Sequence, residues 1–111
     1  MVDTGEVPDD GAFVLNETIH QPTRLRIMSM LVSMDATDPL AYGFLQTHLE
    51  LTPGNLTTHL RKLEDAGYVA ITKEFHGFKP RTWVQATAAG RHAFAEYLTN
   101  LERALGIRAR P

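Results

Sequence analysis

Leu51-Thr-Pro-Gly-Asn-Leu-Thr-Thr-His-Leu-Arg-Lys-Leu-Glu-Asp-Ala-Gly-Tyr-Val69, followed closely by Lys73-Glu-Phe-His-Gly-Phe-Lys-Pro-Arg81, decides how this chain folds. Thr52 is suited to cap a helix, and Pro53 fits its first position, where an amide proton would have no intrahelical partner. Leu56, Leu60 and Leu63 recur at i, i+4 and i+7 and form one apolar stripe. Gly67 supplies the stop, a residue that turns left-handed at little cost, and Tyr68 folds back toward the apolar side. The spacing predicts a helix over 53–66. A rotation of about 100° per residue puts Thr58, Arg61 and Lys62 opposite the leucines, with Asn55, Thr57 and His59 on the flanks.

Beyond Tyr68 the period changes from 3.6 to 2. Val69-Ala-Ile-Thr-Lys-Glu-Phe75 alternates, with Val69 and Ile71 on one face, and Arg81-Thr-Trp-Val-Gln-Ala-Thr87 does the same. The intervening His76-Gly-Phe-Lys-Pro80 has the glycine and proline of a turn, so the segment is expected to be a hairpin with Lys79 and Arg81 at its tip and returning edge and Lys73 and His76 beside them. Upstream, Gly43-Phe-Leu-Gln-Thr-His-Leu-Glu50 is long enough for two helical turns and stands a few residues before the leucine-striped helix. That pairing is a helix-turn-helix. Short hydrogen-bonding side chains early on a helix, with cations further along, suit base edges and phosphates in a major groove; a basic hairpin suits a neighbouring phosphate or minor groove.

The block from Asn55 to Val69, the Lys-Pro-Arg-Thr of the hairpin and Thr87-Ala-Ala-Gly-Arg91 resemble the small winged-helix transcription regulators, the broad MarR-like and ArsR-like group. The resemblance runs from about Leu15 to Leu105. It implies a mainly α fold with a small β-hairpin (α+β): a winged helix-turn-helix with a three-helix core, a two- or three-stranded wing sheet and a C-terminal dimerisation helix. It further implies that Asn55, Thr57, Thr58, His59, Arg61 and Lys62 approach double-stranded DNA, with Lys79 and Arg81 serving the wing; the hairpin reading adds Lys73 and His76 to the expected DNA-binding residues. Phe78 departs from the pattern where a basic or polar residue is usual, and Ala86 and Ala88 stand where Leu and Pro are common.

The 111 residues are enough for one domain, with residues 12–87 as its DNA-binding part and 88–106 as a terminal helix of the same unit. The net charge of -2 is uneven: residues 1–11 form an acidic tail, expected to be disordered, that holds Asp3, Glu6, Asp9 and Asp10 and no cation. Residues 53–81 carry Arg61, Lys62, Lys73, Lys79 and Arg81 against Glu64, Asp65 and Glu74. With so modest an excess, DNA affinity should be salt-sensitive and should gain from two copies acting together.

Cysteine is absent, which removes thiolate sensing and thiolate metal sites, and His20, His48, His59, His76 and His92 lack the close spacing of a ligand set. No metal or cofactor is expected. No apolar run approaches the roughly 18 residues of a membrane span, and no leader is evident, so a cytoplasmic location with no membrane partner is the expectation. There is no nucleophile–base pair, phosphate-cradling loop or carboxylate pair, hence no enzyme.

The rest of the chain reads as scaffold. Phe13 to His20 and Pro22 to Met34 are predicted helices, the second with Leu25, Ile27, Met28, Met30, Leu31 and Val32 on a wide apolar face; 35–39 is a loop and Leu40-Ala-Tyr42 a short third strand. On the last helix, 88–105, Phe94, Tyr97, Leu98, Leu101 and Leu105 form a stripe longer than a small core needs. With Leu15 and Ile19 it is the expected interface of a homodimer. Two-fold symmetry would present two recognition helices to half-sites about 34–36 Å apart, hence a pseudo-palindromic operator. The expected role is transcription regulation as a repressor, with a possible small-molecule effector that no residue identifies. The alternative is a winged-helix protein-interaction module using Phe78 and an outward Trp83.

Overall fold

In the computed structural model, which describes residues 14–33 and 38–106, the striped helix is α4, Pro53–Asp65. The Thr52 side chain accepts from the Asn55 amide at 3.2 Å, Pro53 opens the first turn, and Gly67 follows with φ +83°. Tyr68 N–H donates to the Leu63 carbonyl and Gly67 N–H to that of Glu64, which closes the helix end. Before it lies α3, Tyr42–Leu49, beginning one residue earlier than the periodicity predicts. Glu50, left-handed at φ 56°, ends α3 while its amide donates to the Thr47 carbonyl and the Leu51 amide to that of Gln46. Three residues, 50–52, therefore make the turn of the helix-turn-helix.

The other two helices are α1, Glu17–His20, and α2, Pro22–Ser33. α1 begins later than Phe13, which lies outside the described residues, because the Asn16 side chain accepts from the Ile19 amide and so fixes the cap. Gln21 does the same for α2 through the Arg24 amide. Leu56, Leu60 and Leu63 pack with Ile19, Ile27, Met28, Leu31, Leu45 and Leu49 into one core. The acidic tail and most of the loop after α2 lie outside the described residues.

Strands β1 (Leu40–Ala41), β2 (Val69–His76) and β3 (Lys79–Ala86) form an antiparallel sheet in the order β1-β3-β2. The third strand exists, though Tyr42 belongs to α3. The hairpin turn is shorter than the sequence suggests. Only Gly77 and Phe78 separate the strands, with φ +65° at Gly77 and no positive φ at Phe78, as in a type II′ turn. Pro80 therefore lies within β3, opposite Phe75. Counting from the turn, that pair is not hydrogen-bonded, so the proline costs the ladder no donor.

α5, Ala88–Leu105, has the predicted bounds. Thr87 caps it by accepting from the Gly90 amide, while its hydroxyl donates to the Gly67 carbonyl at 2.6 Å and its amide to that of Tyr68. Gly90 is required here: a Cβ would fall on the Tyr68 carbonyl oxygen. The first half of α5 is core. Phe94 and Tyr97 are buried, and the Tyr97 hydroxyl lies 2.7 Å from His20 Nδ1; burial raises the Tyr97 pKa. This corrects part of the predicted interface. Ile19, Phe94 and Tyr97 close the subunit's own core, because α1 and α5 both pack across α2. Leu15 and Leu101 are half-buried, whereas Leu98 (41%) and Leu105 (62%) are left exposed.

Candidate nucleic-acid interface

With its leucines inward, α4 turns a ridge to solvent. Asn55, Thr58, Arg61 and Lys62 are exposed, in keeping with the helical wheel. The two flanks differ from that ridge, since both are held by other parts of the protein. On one, Arg24 donates from Nε to the Thr18 carbonyl at 2.6 Å and its Nη1 lies 3.2 Å from His59 Nδ1. A guanidinium can only donate, so His59 accepts at Nδ1 and is neutral. Burial, then the charges of Arg24 and Lys62, hold its pKa below the ordinary value. His59 is thus half-buried and committed to Arg24. It is not a free cation on the ridge.

On the other flank the Tyr42 hydroxyl donates to the Pro53 carbonyl at 2.7 Å and lies 2.8 Å from Thr57 Oγ1. Thr57 is half-buried, beside a groove of about 600 Å³ between α4 and the sheet that Arg61, Glu64, Ile71, Lys73 and Thr82 also line. Neither Tyr42 nor Arg24 was expected at the site, because Tyr42 reads as the end of a strand and Arg24 as scaffold. The available signal was chemical: a tyrosine set among core positions needs a partner for its hydroxyl.

The wing divides the cations that the sequence groups together. Alternation along paired strands puts Lys73, Phe75, Pro80 and Thr82 on the face that continues from Val69, Ile71 and Val84, toward α4. His76, Lys79 and Arg81 lie on the opposite face with Glu74 and Trp83. There Glu74 sits 3.5 Å from His76 and directly across from Arg81. Trp83 faces outward as expected but is half-buried, its Nε1 shielded without a hydrogen-bond partner among the described residues. Phe75 and the turn residue Phe78 are exposed. Among the described residues, no group of three or more His, Asp or Glu side chains is placed to hold a metal ion, and no helix is long and apolar enough to cross a membrane.

Residues 23–105 match the family model of the winged helix DNA-binding domain. The chain belongs to that family. This winged helix is similar to the structure of a transcriptional regulator homologue from Pyrococcus horikoshii OT3, with a TM-score of 0.73 and 32% identity over 82% of this chain and 87% of that one. It is 33% identical over 75 residues to an uncharacterized protein of Methanocaldococcus jannaschii, a span of 68% of this chain and 78% of the relative. A MarR-family transcriptional regulator from Rhodococcus sp. RHA1 shares the fold at a TM-score of 0.59, with 22% identity over 86% of this chain and 66% of that one. The winged helix, with five helices and a three-stranded antiparallel sheet among the described residues, is thus the fold on which this chain matches transcriptional regulator structures.

Proposed function

We propose that the protein is a homodimeric, sequence-specific regulator that occupies a pseudo-palindromic operator in the cytoplasm and represses by excluding polymerase. The observation that carries the reading is the exposed polar ridge of α4, with Lys73 of the wing across the groove from Arg61. Asn55, Thr58 and Arg61 read base edges, Thr57 reads from the flank, and phosphates are met by Lys73 on the Thr57 side of α4 and by Lys62 on the Arg24 side. Lys79 and Arg81 serve the backbone from the outer face of the wing. His59 supports α4 through Arg24 and contributes no charge near neutral pH.

A second copy supplies the other half-site. Leu98, Leu101 and Leu105 form an apolar stripe on the outer half of α5, and Leu15 and exposed Val14 add to the apolar surface before α1. This surface supports a dimer built on the end of α5 and the segment before α1. The exposed Phe75 and Phe78 favour a second reading, in which the wing docks on another protein.

Fluorescence anisotropy on duplex from the protein's own upstream region and on scrambled duplex, each across a salt series, tests both. Preference for the upstream duplex with a steep salt slope is the expected outcome. Equal weak binding, or none, defeats the operator reading and leaves the docking module. Sedimentation of Leu98→Glu and Leu105→Glu tests the dimer, which should become a monomer with an unchanged fold.

A further inference from the structure

The hydroxyl protons at the Tyr42 flank can be assigned. A phenol carries one proton and a carbonyl oxygen none, so the 2.7 Å contact between Tyr42 Oη and Pro53 O requires the Tyr42 proton. Thr57 must then donate across the 2.8 Å contact to Tyr42 Oη. The opposite assignment would set two oxygen lone pairs against each other at 2.7 Å. With its proton committed to Tyr42, Thr57 Oγ1 retains only lone pairs for whatever enters the groove beside Arg61.

A free threonine hydroxyl has no such bias. It donates to guanine O6 or N7 and thymine O4 as readily as it accepts from adenine N6 or cytosine N4 in the major groove. From this proton count we infer that Tyr42 sets sequence preference by making Thr57 an acceptor: the base that Thr57 meets is one that presents an exocyclic amino group in the major groove, adenine or cytosine. Tyr42 is a positioning residue, since it acts through Thr57, and the inference rests on the operator reading above. Anchorage to Pro53, in the first turn of α4, holds the same hydroxyl in place along the helix.

The test is selection from a randomised duplex pool, sequenced for the wild type, Tyr42→Phe, Thr57→Val and Thr57→Ser. The wild type should show one position per half-site where adenine or cytosine on one strand exceeds thymine or guanine by about tenfold, the scale of a good direct contact. Thr57→Val should flatten that position, and Thr57→Ser should keep it. Tyr42→Phe should broaden that position alone toward all four bases, by freeing the threonine proton. A loss of tethering without polarity control would instead weaken every position together.

Three results overturn the inference. In one, Tyr42→Phe keeps the wild-type preference at every position. In another, replacing the adenine or cytosine at the position that Thr57→Val flattens by its analogue without the exocyclic amino group costs no affinity. In the third, Thr57→Val alters no position, which decides the matter even if Tyr42→Phe does not fold. A wild type that enriches no sequence at all is a different failure, because it removes the operator reading and takes this inference with it.

Discussion

The recognition helix and the wing carry similar side chains on different kinds of support. α4 is fixed by its leucines in the core, by Arg24 on one flank and by Tyr42 on the other, and at its end by the Thr87 hydroxyl on Gly67. Beyond Ile71 and Val84 the wing is a bare ribbon, exposed on both strands from Thr72 to Arg81 and held by cross-strand pairs. Base reading depends on hydrogen-bond geometry and needs a rigid support. Phosphate attraction is longer-ranged and tolerates a compliant one.

The largest test strikes the anchored region. Gly90→Ala must push α5 from the Tyr68 carbonyl, where backbone meets backbone, and should destabilise the fold by about 2–3 kcal/mol or more, read as the denaturant midpoint. Next, Arg61→Ala should cost about 1–3 kcal/mol on the operator and relax discrimination against random duplex. Lys79→Ala should weaken both duplexes alike and lower the salt slope by about 1. If the two variants behave identically on every sequence, the contrast between helix and wing fails. Lys79→Ala should also leave stability within about 0.5 kcal/mol of wild type, as an exposed ribbon position predicts.

Acid should loosen α4 rather than the wing. His59 has a folded pKa below its unfolded value, so the unfolded chain binds that proton more readily. The stability it contributes is present above about pH 6.5 and is lost as pH falls through the lower folded value. Melting temperatures should therefore fall more between about pH 7.5 and pH 5 for wild type than for His59→Asn, whose side-chain oxygen still accepts from Arg24 without titrating. Equal falls would mean that His59 is not the acid-sensitive support. The smallest effect belongs to the helix-turn-helix turn: Glu50→Gly should gain from a few tenths to about 1 kcal/mol by relieving its left-handed backbone.

The architecture was legible because its signals are local. Thr52, Pro53 and Gly67 mark the ends of α4 within the sequence itself, and the change of period after Tyr68 marks the sheet. The wing turn is shorter than its residues suggest because Pro80 ordinarily signals a turn, and only the pairing register reveals it as a tolerated strand residue. The candidate site was legible as a helix face but not as a set of partners. Thr57 and His59 fall on the flanks of any helical wheel; that Tyr42 and Arg24 reach them depends on how α3 and α2 cross α4, information carried by no local pattern. The same limit applies to α5, where a single apolar stripe serves two surfaces. Phe94 and Tyr97 are taken by the core and Leu98 and Leu105 are left outside.

Pro80 has a further consequence for solubility. β1 covers β3 only at Val84 and Trp83, so the outer edge of β3 from Lys79 to Thr82 lies open, an invitation for strands of neighbouring molecules to zip together. A missing amide at Pro80, flanked by the charges of Lys79 and Arg81, spoils that edge as a template. A chain proposed to meet its own copy through α5 thereby carries a guard against meeting it through the wing, where repeated addition would build aggregates instead of a closed pair.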